Sequence, residues 1–266
     1  MEIRLIASDL DGTLFGSDHQ PAPQTVAAVN AAVDAGIHFV AATGRSWFRG
    51  VDLATGTGAR IHKFIGSNGG HRMDVDTRKL EERLTFDPDV VRAVLSRVSD
   101  GLGDVGFGFE LSDGMTWDEQ FVDITPVSLD GDRRPSAPTP TARFDEVGKM
   151  FVAHRSVGGV DLVDLVDPLT PSLVNVTTSG VPFVELTPPG ADKGAAVARY
   201  AAELGISREQ ILAFGDNQND LSLLTWAGHG VAMGNALEMV KSAADEVTGT
   251  NLEFGVAQVI DRILAG

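Results

Sequence analysis

The chain has 266 residues, 43% of them hydrophobic and 22% charged, a composition typical of folded globular proteins rather than disordered or fibrous ones. Its net charge of −16 argues against nucleic acid or an anionic membrane surface as a partner, because both attract clustered lysine and arginine. Cysteine is absent, which excludes disulfides, thiolate metal sites and cysteine nucleophiles. No signal-like segment or membrane-spanning apolar run is visible, so we expect a cytoplasmic location.

The first part of the chain alternates predicted strands and helices. Apolar runs that end in turn residues predict strands, and apolar residues at helical spacing predict a helix that ends at Gly36. In chain order the elements are a strand at 3–8, a helix at 23–35, a strand at 37–42, a second helix after Arg45 and a strand at 64–65. This order predicts a parallel sheet with right-handed crossovers.

The alternation breaks in the middle of the chain, and we predict an inserted α+β cap domain over residues 85–182. Its predicted elements are a helix at 87–99, a mobile loop at 130–142 and strands at 149–153 and 174–178. After the insertion come strands at 183–186, 211–214 and 229–232, and helices at 193–204, from Asp220, at 236–243 and at 254–264. The α/β alternation therefore assigns residues 1–84 and 183–266 to one Rossmann-like core with a parallel sheet.

Polar side chains collect where the predicted strands end, and ligands of parallel sheets bind at that edge. The residues concerned are Asp9, Asp11, Thr43, Gly44, Arg45, Asp216, Asn219 and Asp220, with Lys193 at the start of a helix. So many carboxylates need a cation, and oxygen ligands without cysteine or paired histidine indicate Mg²⁺. Mg²⁺ held by a few carboxylates usually also binds a phosphate oxygen, which predicts phosphoryl chemistry.

Four of these stretches resemble the signatures of the haloacid dehalogenase superfamily of aspartate-nucleophile phosphatases. They are residues 9–14, residues 43–45, Lys193 and residues 215–220. Further stretches resemble the Cof-type branch, which has a large α/β cap, and lie at 67–70, 187–194, 230–236 and 250–257. Each motif alone is more often a turn or a helix cap, but four in order at strand ends and helix starts favour the family.

The resemblance implies that Asp9 attacks phosphorus and becomes an aspartyl phosphate, a known carboxylate role in covalent catalysis. It implies that Asp11 protonates the leaving oxygen and then activates water, while its backbone carbonyl binds Mg²⁺. Asp216 completes the metal ligands, with Asp220 next to them, and Asn219 orients Asp9 or the substrate.

The resemblance also implies a phosphate-binding group. The backbone amides of Leu10 and Asp11 and the Thr43 hydroxyl hold the phosphoryl oxygens, and Gly44 allows close backbone approach. Lys193 offsets negative charge on the nucleophile and the phosphate. Arg45 is a candidate for contact with the substrate.

The predicted function is Mg²⁺-dependent hydrolysis of a small phosphorylated metabolite, and the resemblance alone suggests a sugar phosphate. Two alternatives stay open: a phosphomutase of the same family, and a non-catalytic protein that binds phosphorylated metabolites on a retained Mg²⁺ site. A product assay would separate the hydrolase, which releases free phosphate, from the phosphomutase, which yields an isomerised sugar phosphate. Intact Asp9 and Asp11 argue against the binding protein, and no protein partner is predicted.

Overall fold

The computed structural model describes residues 2–125 and 137–266. The chain divides into two compact units, the first formed by Met1–Glu82 and Asp192–Gly266 and the second by Arg83–Ala191. We expected residues 130–142 to form a mobile loop, and residues 130–136 of that stretch lie outside the described residues.

An eight-stranded sheet organises the first unit. In spatial order its strands are β13 (Glu246–Val247), β12 (His229–Ala232), β11 (Ile211–Gly215), β1 (Leu5–Ser8), β2 (His38–Ala42), β3 (Lys63–Gly66), β4 (His71–Asp74) and β5 (Leu80–Arg83). Neighbouring strands from β13 to β3 are parallel, whereas β4 is antiparallel to β3. All residues of β1 and β11 are buried, as expected for central strands of a parallel sheet.

The helices of the first unit are α1 (Pro23–Asp34), α2 (Trp47–Thr55), α6 (Lys193–Glu203), α7 (Leu221–Trp226), α8 (Glu238–Ala243) and α9 (Gly255–Ala265). Their ends follow ordinary helix chemistry. Pro23 opens α1, and Gly36 just beyond its end has a φ of 84°, a left-handed conformation that favours glycine. In the part of the chain that the structure describes, no helix combines the length and apolarity needed to cross a bilayer.

A five-stranded antiparallel sheet organises the second unit. In spatial order its strands are β7 (Gly114–Trp117), β6 (Val105–Leu111), β8 (Lys149–His154), β10 (Val184–Thr187) and β9 (Asn175–Thr177), and its helices are α3 (Pro88–Leu102), α4 (Glu119–Ile124) and α5 (Gly159–Val166). Buried apolar residues of β6, β8 and β10 pack with those of α3 and α5 in one core. A parallel-sheet core interrupted by an α+β insertion confirms the predicted fold class.

One strand belongs to a different sheet from the predicted one. The strand expected at 183–186 is present as β10, but it pairs antiparallel with β8 and β9 instead of extending the parallel sheet. Its Glu185 forms a buried ion pair with Lys149 of β8. An apolar run shows that a strand is buried without showing which strands it pairs with. Because β10 pairs within the second sheet, the second unit extends to Ala191.

Candidate active site

Three neighbouring parallel strands bring the predicted site residues together. β1 lies between β2 and β11, so their carboxyl ends meet at one edge of the sheet. Asp9 follows β1, Thr43 follows β2 and Asp216 follows β11. Lys193, the first residue of α6, joins them through its side chain.

A buried network of ion pairs connects Lys193 to two of the aspartates. Its Nζ donates to Asp9 Oδ1 at 2.7 Å and to Asp220 Oδ1 at 2.6 Å. Lys193 and Asp220 are fully buried, and Asp9 is 6% exposed. Burial would lower the pKa of Lys193, but the Asp220 and Asp9 carboxylates outweigh burial and raise it, so the ammonium stays charged.

Asp220 fixes the loop that follows β11. Its Oδ2 accepts hydrogen bonds from the backbone N–H groups of Asp216 and Asn217, both at 2.9 Å. With Oδ1 on Lys193, both carboxylate oxygens of Asp220 are engaged by donors of the protein.

Asp216 lies against the turn that follows β1. Its Oδ1 accepts a hydrogen bond from the Thr13 hydroxyl at 2.7 Å. Gly12 has a φ of 80°, and a Cβ at this position would lie 2.5 Å from Asp216 Oδ2, so both the backbone and the close approach require glycine. Burial and the nearby Asp220 carboxylate raise the pKa of Asp216 to about 6.

One carboxylate oxygen from each of Asp9, Asp216 and Asp220 lies within 4.8 Å of the other two. Burial raises the pKa of Asp9 well above its usual value, although Lys193 opposes the increase, and Asp220 and Asp216 add to it. Three carboxylates around one ammonium leave an excess of negative charge. Such a cluster is suited to binding a cation through oxygen ligands.

Arg45 holds the Asp11 carboxylate in a bidentate ion pair. Its Nε donates to Asp11 Oδ2 at 2.6 Å and its Nη2 to Asp11 Oδ1 at 2.7 Å, while His19 Nδ1 lies 3.1 Å from Oδ1. Burial would raise the pKa of Asp11, but the hydrogen bonds and charges of Arg45 and His19 outweigh burial and hold it below its usual value. Arg45 is the candidate for contact with the substrate, and in the structure its guanidinium binds Asp11 while Nη2 also lies 3.1 Å from His19 Nδ1.

The remaining predicted residues lie in the loops after β1, β2 and β11. Leu10 is buried, and its carbonyl accepts hydrogen bonds from two amides of its own turn. Thr43 is also buried, and its hydroxyl accepts the Arg45 amide at 3.1 Å across Gly44. Asn219 is 7% exposed and donates from Nδ2 to the Asn68 side chain, a partner that the sequence analysis did not assign.

Two asparagines that hold the turn after β1 were also missed. Asn235 Nδ2 donates to the Gly12 carbonyl and Asn251 Nδ2 to the Phe15 carbonyl, both at 2.8 Å. The Asn251 amide in turn donates to Asn235 Oδ1 at 3.0 Å. Both lie in stretches that resemble the Cof-type branch, so their positions were visible in the sequence but their contacts were not.

Comparison with known proteins identifies the family. The sequence profile of the haloacid dehalogenase-like hydrolases matches residues 6–260. A 5-amino-6-(5-phospho-D-ribitylamino)uracil phosphatase of Bacillus subtilis, YwtE, is 31% identical over 294 residues, which cover 99% of each chain. The pyridoxal phosphate phosphatase YbhA of Escherichia coli is 28% identical over 98% of each chain.

A solved structure agrees with these relatives. The phosphatase BT1666 of Bacteroides thetaiotaomicron, a member of the same superfamily, superposes with a TM-score of 0.82 at 25% identity and covers 98% of this chain and 95% of its own. The family suggested by the four motifs is thereby confirmed. The chain belongs to the haloacid dehalogenase-like hydrolases and is an enzyme of the phosphatase type within that family.

Proposed function

We propose that the protein is a Mg²⁺-dependent phosphomonoester hydrolase that works through an aspartyl phosphate on Asp9. The observation that carries this proposal is the buried Lys193 ammonium between Asp9 and Asp220. It holds one oxygen of Asp9 in place and leaves the other oxygen to act as a nucleophile. The same positive charge offsets the negative charge of an incoming phosphoryl group.

The carboxylate cluster fits a Mg²⁺ ion, because its donors are all oxygens and it carries excess negative charge. Both oxygens of Asp220 are engaged by Lys193 and backbone amides, whereas Asp216 engages only one oxygen with a side-chain donor, the Thr13 hydroxyl. Asp9 Oδ1 accepts from Lys193 but keeps a further acceptor site for a metal, so the other Asp9 oxygen stays available as the nucleophile. We therefore assign Asp9, Asp216 and the Asp11 backbone carbonyl as ligands and Asp220 as the support of the loop that carries Asp216. Bound there, Mg²⁺ supplies positive charge next to the phosphoryl oxygens.

The proposed reaction has two steps. In the first, an Asp9 oxygen attacks phosphorus, an oxygen–phosphorus bond forms and the bond to the leaving oxygen breaks, while Asp11 gives that oxygen a proton. In the second, a water oxygen attacks phosphorus, and the ionised Asp11 takes a proton from the water. The bond between Asp9 and phosphorus then breaks, which releases inorganic phosphate and restores both aspartates.

The bidentate ion pair with Arg45 sets the resting state of Asp11. Arg45 favours the ionised carboxylate and occupies both of its oxygens. Asp11 must therefore free at least one oxygen from Arg45 before it can carry the proton for the leaving group. The backbone amides of Leu10 and Asp11 and the hydroxyl of Thr43 are the groups that we propose to bind the phosphoryl oxygens.

The substrate that we propose is a small hydroxylated phosphate monoester, with sugar phosphates as the first class to test. The relatives support this size class, because their names specify a phosphoribitylamino-uracil and pyridoxal phosphate as substrates. Both molecules carry one phosphoryl group on a small polar scaffold.

The test is a hydrolysis screen over phosphorylated sugars, nucleotides and vitamins, with and without Mg²⁺. We expect phosphate release that requires Mg²⁺ and falls on the order of 10³-fold or more in Asp9→Asn, because this substitution removes the attacking oxygen. Activity that persists in excess EDTA and in Asp9→Asn would contradict the proposal. An isomerised sugar phosphate in place of free phosphate would show a phosphomutase instead.

A further inference from the structure

The segment Ser67–Gly69, between β3 and β4, has an unusual backbone for its position. Its three residues have φ values of 52°, 55° and 100°, all in the left-handed region that L side chains adopt rarely. Ser67 and Asn68 are fully buried or nearly so. Backbone conformations of this kind persist where surrounding structure enforces them, and they cluster at functional sites.

The main chain of this segment contacts two loops of the candidate active site. The Ser67 amide donates to the Arg45 carbonyl at 2.8 Å, and the Asn68 amide donates to the Thr43 carbonyl at 3.0 Å. Gly69 packs so closely that a Cβ would lie 2.3 Å from the carbonyl oxygen of Asp192, which caps α6 immediately before the lysine of the site. The segment therefore braces the loop after β2 and the start of α6.

The Asn68 side chain reaches a third loop. Its Oδ1 accepts a hydrogen bond from Asn219 Nδ2 at 2.9 Å, and Asn219 precedes the Asp220 carboxylate that holds the lysine. This bond determines which way the Asn219 amide points. Asn219 is 7% exposed, and its Oδ1 has no hydrogen-bond partner among the described residues. A buried acceptor of this kind is costly unless a donor reaches it.

We propose that Asn68 is a positioning residue for phosphoryl transfer. It orients the Asn219 amide so that the buried Oδ1 can accept a hydrogen bond from the bound ligand, a hydroxyl of the substrate or a water that accompanies it. Asn68 acts through Asn219 and contacts no reacting atom itself. The inference rests on the proposed phosphatase function.

A double-mutant cycle tests this role. Asn68→Gly removes the acceptor while glycine accepts the left-handed backbone, so we expect a folded protein. Asn219→Ala removes the amide that Asn68 orients, and the two substitutions are also combined. We measure kcat and KM with a sugar phosphate, whose hydroxyls can donate to Asn219 Oδ1, in the presence of Mg²⁺, and we measure thermal unfolding of each variant. Ser172→Gly is the matched control, because Ser172 is an exposed residue of the second unit with a φ of 59°.

We expect Asn68→Gly to lower kcat/KM about tenfold or more, the effect of one lost buried hydrogen bond. The double variant should lose no more than Asn219→Ala alone, because Asn68 acts through Asn219. Ser172→Gly should leave kcat/KM unchanged. Wild-type kcat/KM in Asn68→Gly, or losses that multiply in the double variant, would overturn the inference.

The two proposals fail in different ways. A wild-type protein that hydrolyses no phosphate ester would contradict the proposed function. The cycle would then be measured as the affinity for inorganic phosphate in the presence of Mg²⁺, with the same non-additive loss expected. If Asn68→Gly does not fold, Asn68→Asp, which keeps an acceptor for Asn219 Nδ2, should fold and should lose less kcat/KM than Asn219→Ala. An equal loss would count against the inference.

Discussion

Asp11 has to carry a proton in the proposed reaction, yet its surroundings favour the ionised form. Arg45 and His19 hold the pKa of Asp11 below its usual value, although burial alone would raise it. The protonated form that the first step needs is therefore lost at a lower pH than for an ordinary carboxyl group. Activity on substrates with a poor leaving group should then decline as pH rises.

Arg45→Met removes the bidentate partner, so the pKa of Asp11 should rise and Asp11 should stay protonated to higher pH. We predict that the decline of kcat/KM with rising pH, measured with an alkyl phosphate, moves to higher pH in this variant. The comparison is p-nitrophenyl phosphate, whose weakly basic leaving group needs little proton donation. A uniform loss for both esters, without a shift of the pH profile, would mean that Arg45 binds the phosphoryl group instead.

Asp216 gives a second pH dependence. Burial and Asp220 raise its pKa to about 6 in the folded protein, above its value in the unfolded chain, so folding disfavours its ionised form. In the metal-free protein this group therefore lowers stability as the pH rises through about 6. Mg²⁺ binds the ionised carboxylate and competes with the proton.

We therefore predict that MgCl₂ raises the unfolding temperature more at pH 7.5 than at pH 5, values chosen on the two sides of that pKa of about 6. Thermal unfolding with and without the ion measures the difference. Asp216→Asn should give a small rise at both pH values, because the amide is a weaker ligand and does not titrate. An equal rise at both pH values in the wild-type protein would exclude Asp216 as a titrating ligand.

At the scale of single residues, the sequence predicted which polar groups lie near each other, but not how they pair. Asp9 and Asp216 could be predicted to meet, because the ends of neighbouring parallel strands share one edge. The ion pair between Arg45 and Asp11 could not, since it depends on the rotamers of two loop residues. The hydrogen bond from Asn219 to Asn68 could not be predicted either, because it depends on the left-handed backbone of the turn that carries Asn68.

The turn after β1 is the element on which the metal-binding geometry depends. Gly12 has a φ of 80° and leaves room for Asp216 Oδ2. Gly36, beyond the end of α1, has a φ of 84°, and a Cβ added there would meet no atom of the described residues within 4 Å. The two glycines share the backbone requirement and differ in the close contact. Substitutions at these two glycines can therefore separate the effect of backbone strain on stability from the effect of displacing Asp216 on activity.

We predict that Gly12→Ala and Gly36→Ala each lower the free energy of unfolding by about 1–2 kcal/mol, the cost of a left-handed backbone for alanine. Gly12→Ala should in addition abolish most phosphatase activity and the Mg²⁺-induced rise in unfolding temperature, because its Cβ displaces Asp216. Chemical denaturation and phosphate release measure the two effects. Activity in Gly12→Ala equal to that in Gly36→Ala would show that Asp216 tolerates displacement.

The elements that the sequence predicted best are those with a clear pattern within their own residues. Strands such as β1, β2 and β11 are short, mainly apolar runs that end in turn residues, and each was placed to within two residues. β6 was missed although all seven of its residues are buried, because glycines alternate with its apolar residues and weaken the strand pattern. The sheet membership of β10 depends on partners distant in sequence, which no local pattern reveals.

At the scale of the molecule, β10 determines where the inserted unit can be exchanged. The second unit spans Arg83–Ala191, and β10 lies within it between β8 and β9. An exchange of residues 85–182 would separate β10 from both neighbours. It would also replace Lys149, the partner of the buried Glu185, and a buried charge that loses its partner is strongly destabilising.

We predict that exchanging Arg83–Ala191 for the matching segment of a relative such as the pyridoxal phosphate phosphatase gives a stable protein. If the insert selects the substrate, the order of preference among phosphate esters should change, while p-nitrophenyl phosphate remains a substrate of the retained core. Exchange of residues 85–182 should lower the unfolding temperature by several degrees more than exchange of Arg83–Ala191 does. Thermal unfolding and a panel of phosphate esters are measured on both chimaeras. Equal stability of the two chimaeras would contradict the boundary at Ala191. An unchanged order of preference among the esters would show that the core selects the substrate.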